Sequence, residues 1–191
     1  MLRKHSKFMI ISIVIVALLF SLQTSFAAKA NLDEIGPKLK ALGLLIGDPD
    51  GNMRFQDKIS RAEFAVVAAR LIGKEEESLK RKGSTIFKDV PKDHWASGHI
   101  NVSVENKLIY GYDDGTFKIK NDITYGETLT ILVNALGYGS EVPPENWPAN
   151  FVEKAKALGI TKDMTFENKT PATRGDVARM LNNSLTVKIK K

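Results

Sequence analysis

Three short segments of the sequence combine a hydroxyl residue with an acid three positions later. These hydroxyl–acid boxes are Ser60 and Glu63, Thr124 and Glu127, and Thr173 and Asp176. A hydroxyl just before a helix accepts a hydrogen bond from a first-turn N–H, and the acid accepts one from the N–H of the hydroxyl residue. We therefore predict that three helices begin at these boxes, whose residues serve as caps rather than as catalytic groups.

The residue that follows each hydroxyl is a candidate for a binding role rather than for a capping role. It is Arg61 in the first box, Tyr125 in the second and Arg174 in the third. A helix amino terminus carries about half a positive charge and free N–H groups, and an arginine there adds a planar fork that fits a carboxylate. An anion site is one reading of this pattern, and a solvated first-turn residue is the other. In both readings the arginines are exposed, so their removal should cost little stability.

Similar residues recur at fixed distances, which indicates internal repeats. A shift of 64 positions places Gly47, Asp50, Gly51 and Glu63 on Gly111, Asp114, Gly115 and Glu127. A further shift of 49 places Asp114, Phe117 and Thr124 on Asp163, Phe166 and Thr173. The pattern of each copy predicts a helix, a turn-rich loop and a second helix. Helices this short are only marginally stable in isolation. The pattern predicts an all-α fold in which three helix-loop-helix repeats pack together.

The predicted repeats occupy residues 28–73, 85–138 and 139–187. The first helix of the first repeat, expected near residues 35–45, has the weakest pattern of the set. Residues 74–84 are charged and contain Gly83, so we expect them to continue the preceding helix into solvent and to end as a linker.

Residues 1–27 are predicted to form a signal peptide. Arg3, Lys4 and Lys7 form a basic start, residues 8–20 are apolar apart from Ser12, and residues 25–27 form a small-x-small cleavage site. The apolar stretch is shorter than the ~20 residues of a spanning helix, although an uncleaved membrane anchor remains the alternative. Cleavage leaves no membrane segment, and it lowers the basic count from 28 to 25 against 22 acidic residues. A net charge of about +3 gives little support to nucleic-acid binding.

The composition narrows the chemistry further. The chain has no cysteine and only three histidines, which excludes disulfides, catalytic thiols and cysteine-based zinc sites. The acidic loop from Asp48 fails the calcium-loop pattern, because its sixth residue is Met53 rather than Gly and its twelfth is Ile59 rather than Glu. We expect no metal, no cofactor and no catalytic residues.

The second repeat carries a set of motifs that resembles the S-layer homology domain, a bacterial cell-surface module. The motifs are Phe87 to Pro91, His94 to Ala96, Gly111 to Phe117 and the box from Thr124 to Glu127. The resemblance extends over about residues 31–187, although the first repeat lacks the opening motif and any tryptophan. It implies a three-lobed, all-helical bundle with approximate threefold symmetry.

The same resemblance implies a function and a location. Such modules are secreted and anchor proteins non-covalently at the cell surface, by binding acidic, commonly pyruvylated, secondary polysaccharides linked to peptidoglycan. On this reading the polymer-binding residues are Arg61, Arg174, Trp95, Trp147 and Tyr125. The two tryptophans could stack on sugar rings or serve as buried anchors at helix starts, and the sequence leaves both open.

Two other function classes remain as alternatives. The first is a secreted cell-wall glycan hydrolase, although the sequence contains no Gly-x-Ser-x-Gly elbow and no marked pair of carboxylates. The second is a module that assembles surface proteins, by self-association or with other partners. An assembly module would need an exposed apolar helix face, and the apolar stripes of the repeats are expected to be used by the core.

Overall fold

The structure, a computed structural model, describes residues 32–190 and is all-α within that range. The predicted fold class is confirmed, and the predicted signal peptide lies outside the described residues. The helices are α1 (32–41), α2 (Arg61–Leu71), α3 (Glu75–Lys80), α4 (Ser97–Glu105), α5 (Tyr125–Ala135), α6 (Ala149–Ala157) and α7 (Arg174–Ser184), with a 3₁₀ turn at Gly139–Glu141. The helix pairs α1–α2, α4–α5 and α6–α7 form the three helix-loop-helix repeats.

The first helix of each repeat packs on the second helix of another repeat. Helix α4 lies on α2, where the Ser103 hydroxyl donates to the Ala65 carbonyl at 3.2 Å, and α6 lies on α5. Between α1 and α7, Lys38 Nζ donates to Asn182 Oδ1 at 2.9 Å. Each repeat therefore packs on the next one in a closed cycle. One continuous hydrophobic core runs through all three repeats.

A buried ring of backbone hydrogen bonds joins the three repeats. Ile59 N donates to Ala172 O at 3.2 Å, Ala172 N to Ile123 O at 2.9 Å, and Ile123 N to Ile59 O at 2.9 Å. Each of these residues directly precedes the hydroxyl of one box. The ring thus gathers the amino termini of α2, α5 and α7 around an approximate threefold axis.

The hydroxyl–acid boxes form at the start of these three helices. In each, the hydroxyl oxygen accepts a hydrogen bond from the backbone N–H of the acid, and the acid's carboxylate accepts one from the backbone N–H of the hydroxyl residue. Two N–H groups that the helix cannot pair internally are satisfied in this way.

Loss of a cap hydroxyl should be measurable in the stability of the whole bundle. We expect Ser60→Ala and Thr173→Ala each to lower the free energy of unfolding by about 0.5–2 kcal/mol, because a first-turn N–H loses its acceptor. Ser140 is exposed and outside the boxes, so Ser140→Ala is the matched control, with a change within about 0.5 kcal/mol. Denaturant unfolding of the three variants checks this, and equal changes would contradict it.

Two elements differ from the sequence-based expectation. Helix α1 ends at residue 41, earlier than expected, because Gly43 adopts a left-handed φ of 69° and turns the chain so that Leu44 and Leu45 are buried. Residues 74–84 are mostly exposed, but they do not continue α2 as a single helix. Gly73, at φ 72°, ends α2, and α3 is a separate helix that packs on α4 with Ser78 fully buried.

Candidate binding groove

Arg61 leaves its own repeat and enters the loop of the second. Its Nε donates to Phe117 O at 2.8 Å, Nη1 to Glu127 Oε1 at 2.7 Å and Nη2 to Tyr110 O at 3.0 Å. The residue is only 4% exposed. Its planar fork is thus largely engaged by the protein itself, which leaves two of its five N–H donors for any other partner.

Arg174 makes the corresponding contacts from the third repeat to the first. Its Nε donates to Met53 O at 2.9 Å and its Nη2 to Ile46 O at 2.8 Å, while Nη1 lies 3.4 Å from Glu63 Oε1. Burial lowers the pKa of the Arg174 guanidinium, although the Glu63 charge opposes that effect.

Tyr125 occupies the equivalent position between the second and third repeats. Its hydroxyl donates to Asp176 Oδ2 at 2.6 Å, and its ring stacks on Phe166 with centroids 4.7 Å apart. Burial and the bond to Asp176 raise the pKa of the phenol well above its usual value. In every box, therefore, the residue after the hydroxyl bonds to the acid of the next box, and the three contacts close a cycle.

These contacts correct the expectation that the first-turn arginines are exposed. Arg61 and Arg174 are both 4% exposed, and Tyr125 is 8% exposed. The reason is that the helix starts meet at the buried ring, where each first-turn side chain points into a neighbouring repeat rather than into water. We therefore expect removal of either arginine to cost more stability than removal of an exposed residue would.

Glu127 is held as a carboxylate at the first of these junctions. It accepts hydrogen bonds from Arg61 Nη1, from the Tyr112 hydroxyl at 2.6 Å and from Thr124 N at 2.9 Å. Burial alone would raise the pKa of Glu127, but these donors and the Arg61 charge hold it below 4.5. Burial and the bond to Glu127 raise the pKa of Tyr112 to about 12.

The lowered pKa of Glu127 predicts a specific loss of stability in acid. A carboxyl with a folded pKa below its unfolded value contributes stability above the unfolded pKa and loses it as the pH falls through the folded pKa. We expect wild-type stability to fall as the pH drops below about 4.5, and Glu127→Gln to show a shallower fall from a lower value at pH 7. Urea unfolding between pH 7 and pH 3 measures both, and parallel curves would contradict the assignment.

A groove opens above Arg61, between the second repeat and the start of α6. Its inner part is a cavity of about 360 Å³ whose lining includes Arg61, Tyr112, Glu127 and Trp147. It continues into a second cavity of about 470 Å³, which adds Lys107 and shares Tyr110, Thr130 and Trp147 with the first. We call this combined space the binding groove.

Two aromatic side chains stand exposed in the binding groove. Tyr110 is 61% exposed and Trp147 is 56% exposed, and the Trp147 indole N–H donates to Thr130 Oγ1 at 3.1 Å. The ring of Trp147 is thus oriented by a hydrogen bond while much of its surface remains open. Trp95 is 55% exposed beside His94 and does not line the groove. Neither tryptophan is a buried anchor, which removes that alternative.

Sequence reasoning missed Tyr110, Tyr112 and Lys107 as groove residues. All three come from the segment that joins α4 to α5, which the sequence predicts only as a turn-rich loop. The sequence signal for two of them is the placement of Tyr110 and Tyr112 on either side of Gly111. A side chain at position 111 would clash with Phe87 and Thr116.

Metal ligation and membrane spanning find no support in residues 32–190. No group of three or more His, Asp or Glu side chains in this range could hold a metal ion. Asp114 instead accepts from Thr116 N at 3.0 Å within its turn. None of the helices in the described range is both long and apolar enough to cross a membrane.

Comparison with known proteins identifies the family. The sequence model of the S-layer homology domain matches residues 38–65 and 86–129, which include the first two boxes. The chain is also 36% identical over 158 residues to the middle cell wall protein of Brevibacillus brevis. The chain is an S-layer homology domain protein.

Other relatives of the chain have different printed names. The chain is 33% identical over 156 residues to a cellulosome-anchoring protein of Acetivibrio thermocellus, covering 74% of this chain and 35% of that protein. It is 29% identical over 128 residues to an uncharacterized cell wall amidase of Bacillus anthracis, covering 62% of this chain and 23% of that protein. The Brevibacillus match covers 83% of this chain but only 15% of the relative. The S-layer homology chain thus corresponds to a minor part of each of these proteins.

Proposed function

We propose that this protein is a non-covalent anchoring module of the bacterial cell surface, which binds an acidic secondary polysaccharide of the wall in the groove beside Arg61. Its location is the cell wall surface, in keeping with relatives that are named as cell-wall and anchoring proteins. The observation that carries the proposal is the binding groove, whose inner cavity is lined by both an oriented, half-exposed indole and an arginine.

The polar end of the groove contains a candidate partner for a carboxylate substituent such as a pyruvyl ketal. Arg61 lines the inner cavity together with Asp113 and Glu127, and its orientation is fixed by its bonds to Phe117 and Tyr110. Because Glu127 already neutralises the guanidinium charge, recognition depends on directed hydrogen bonds more than on a strong positive field. Lys107, in the outer cavity, supplies a second cation.

The aromatic side chains of the groove suit sugar rings. A pyranose has an apolar face that packs well on an indole or a phenol ring. Trp147 and Tyr110 both line the inner and the outer cavity, so one polymer chain in the groove would contact both rings. The groove thus combines the two features that an acidic polysaccharide requires.

The geometry does not favour the hydrolase alternative. A glycosidase needs a general acid that carries a proton near neutral pH. Glu127 is held ionised by Arg61, Tyr112 and Thr124, so it is poorly suited to that role. Among the matched relatives, a protein named as an amidase shares this segment with proteins named as a cell wall protein and an anchoring protein, which supports a role for the segment in attachment rather than in catalysis.

Co-sedimentation with purified cell walls tests the anchoring function. We expect the mature protein to pellet with intact walls, and to stay in the supernatant after the acidic polymer has been chemically stripped from the peptidoglycan. Release of reducing ends or of amino groups from the intact walls is measured in the same samples and should remain at the level of a protein-free control. Equal binding to stripped walls, or steady product release, would contradict the proposal.

A further inference from the structure

A second cavity with a strongly basic lining lies away from the binding groove. Residues 80–82, Lys-Arg-Lys, are the only run of three Lys or Arg residues in the sequence. With the segment 83–86, Asn101 and Glu105, they line a space of about 480 Å³ where α3 ends against α4. We call this space the basic pocket. No residue of the basic pocket lines the binding groove.

The backbone of the basic pocket is held in place by the neighbouring helix. Gly83 N donates to Ser97 Oγ at 3.2 Å, and the Asn101 side-chain amide donates to Arg81 O and to Ser84 O, each at 3.1 Å. Helix α3 also approaches α4 so closely that a Cβ on Gly98 would lie 2.0 Å from Ser78 O. Lys80 is the last residue of α3, and Arg81 and Lys82 lie on a loop that α4 holds in place, so binding would not require the loop to be ordered first.

The charges of the basic pocket are only partly neutralised. Arg81 pairs with Glu105. Lys80 and Lys82 are exposed and form no ion pair within residues 32–190. The lining thus carries three cations and one anion. The lining of the basic pocket therefore has an excess of positive charge, although Glu75, Glu76 and Glu77 precede it on α3.

We propose that the basic pocket binds the phosphodiester groups of an anionic polymer. The planar fork of Arg81, which suits carboxylates, is occupied by Glu105. The free cations are lysines, which act as compact point charges and are well suited to the tetrahedral oxygens of a phosphate. The exposed Ser84 adds a hydroxyl at the rim. This chemistry differs from the carboxylated sugars assigned to the binding groove, and the proposal does not depend on that groove.

Calorimetry of the mature protein with an oligomer of glycerol phosphate tests the basic pocket. We expect binding by the wild type, and a loss of affinity of roughly fivefold or more in the Lys80→Gln/Lys82→Gln double variant, since two exposed charge contacts are removed. The matched control is Lys162→Gln/Lys169→Gln, which removes the same charge from exposed lysines of the third repeat. Trp147→Ala, which alters the binding groove alone, should leave this affinity unchanged.

Several results would contradict the proposal that the basic pocket binds phosphodiester groups. Equal losses of affinity in the two lysine double variants would show that binding depends only on the net charge of the protein. An equal affinity for a polygalacturonate oligomer would remove the preference for phosphate. Binding to phosphatidylglycerol vesicles, with none to the soluble oligomer, would assign the pocket to a lipid surface instead. A loss caused by Trp147→Ala would place the ligand in the groove.

Discussion

Replacing Arg61 with alanine is expected to lower the free energy of unfolding by about 3–5 kcal/mol, which is the usual effect of breaking a buried ion pair from one side. The variant leaves the Glu127 carboxylate without its cation in a site where the side chain is 11% exposed. It also strips the Phe117 and Tyr110 carbonyls of their donors and removes the guanidinium from the faces of Tyr112 and Phe117, both 4.8 Å away. Urea unfolding at pH 7 measures the loss.

Two other arginines calibrate that result. Arg174→Ala should cost less, about 1–3 kcal/mol, because its carboxylate partner Glu63 is 29% exposed and more distant at 3.4 Å. Arg179 is partly exposed and lies 3.6 Å from Asp176, so Arg179→Ala should change stability by less than about 1 kcal/mol. An Arg61→Ala loss no larger than that of Arg179→Ala would contradict the role of Arg61 as a junction between repeats.

The boxes and the arginines show what the sequence alone could predict. A capping box is contained within four residues, so the pattern from Ser60 to Glu63 was sufficient to place a helix start. The direction of the Arg61 side chain depends on carbonyls of Tyr110 and Phe117, 49 and 56 residues further along the chain. That position follows only from the ring that assembles the three repeats, which no local pattern encodes.

For the binding groove, too, the sequence predicts the fold but not the position of each side chain. Repeats at fixed spacing were sufficient to predict an all-α bundle of similar units. The sequence could not separate Trp147 from Trp95, because the two residues hold similar positions before α6 and α4. Only the packing of α6 on α5 brings Trp147 beside Thr130 and over the pocket of Arg61.

Trp147→Ala is expected to weaken binding of the wall polymer by roughly fivefold to thirtyfold, which corresponds to about 1–2 kcal/mol for the loss of one aromatic platform. The fold should survive, because more than half of the residue is exposed. Trp95→Ala removes an indole of similar exposure from outside the groove, so it is the matched control and should bind as the wild type does. Equal losses in the two variants would show that the groove is not the principal binding surface.

The central claim, that the groove beside Arg61 recognises an acidic wall saccharide, is tested most directly by calorimetry of the mature wild-type protein. The titrants are a pyruvylated fragment of the polymer and the same fragment without its ketal. We expect the pyruvylated fragment to bind at least about tenfold more tightly, because a hydrogen bond to a charged group contributes about 1.5–3 kcal/mol and the ketal-free fragment leaves the Arg61 donors without their carboxylate. Equal affinity for the two fragments would contradict the claim.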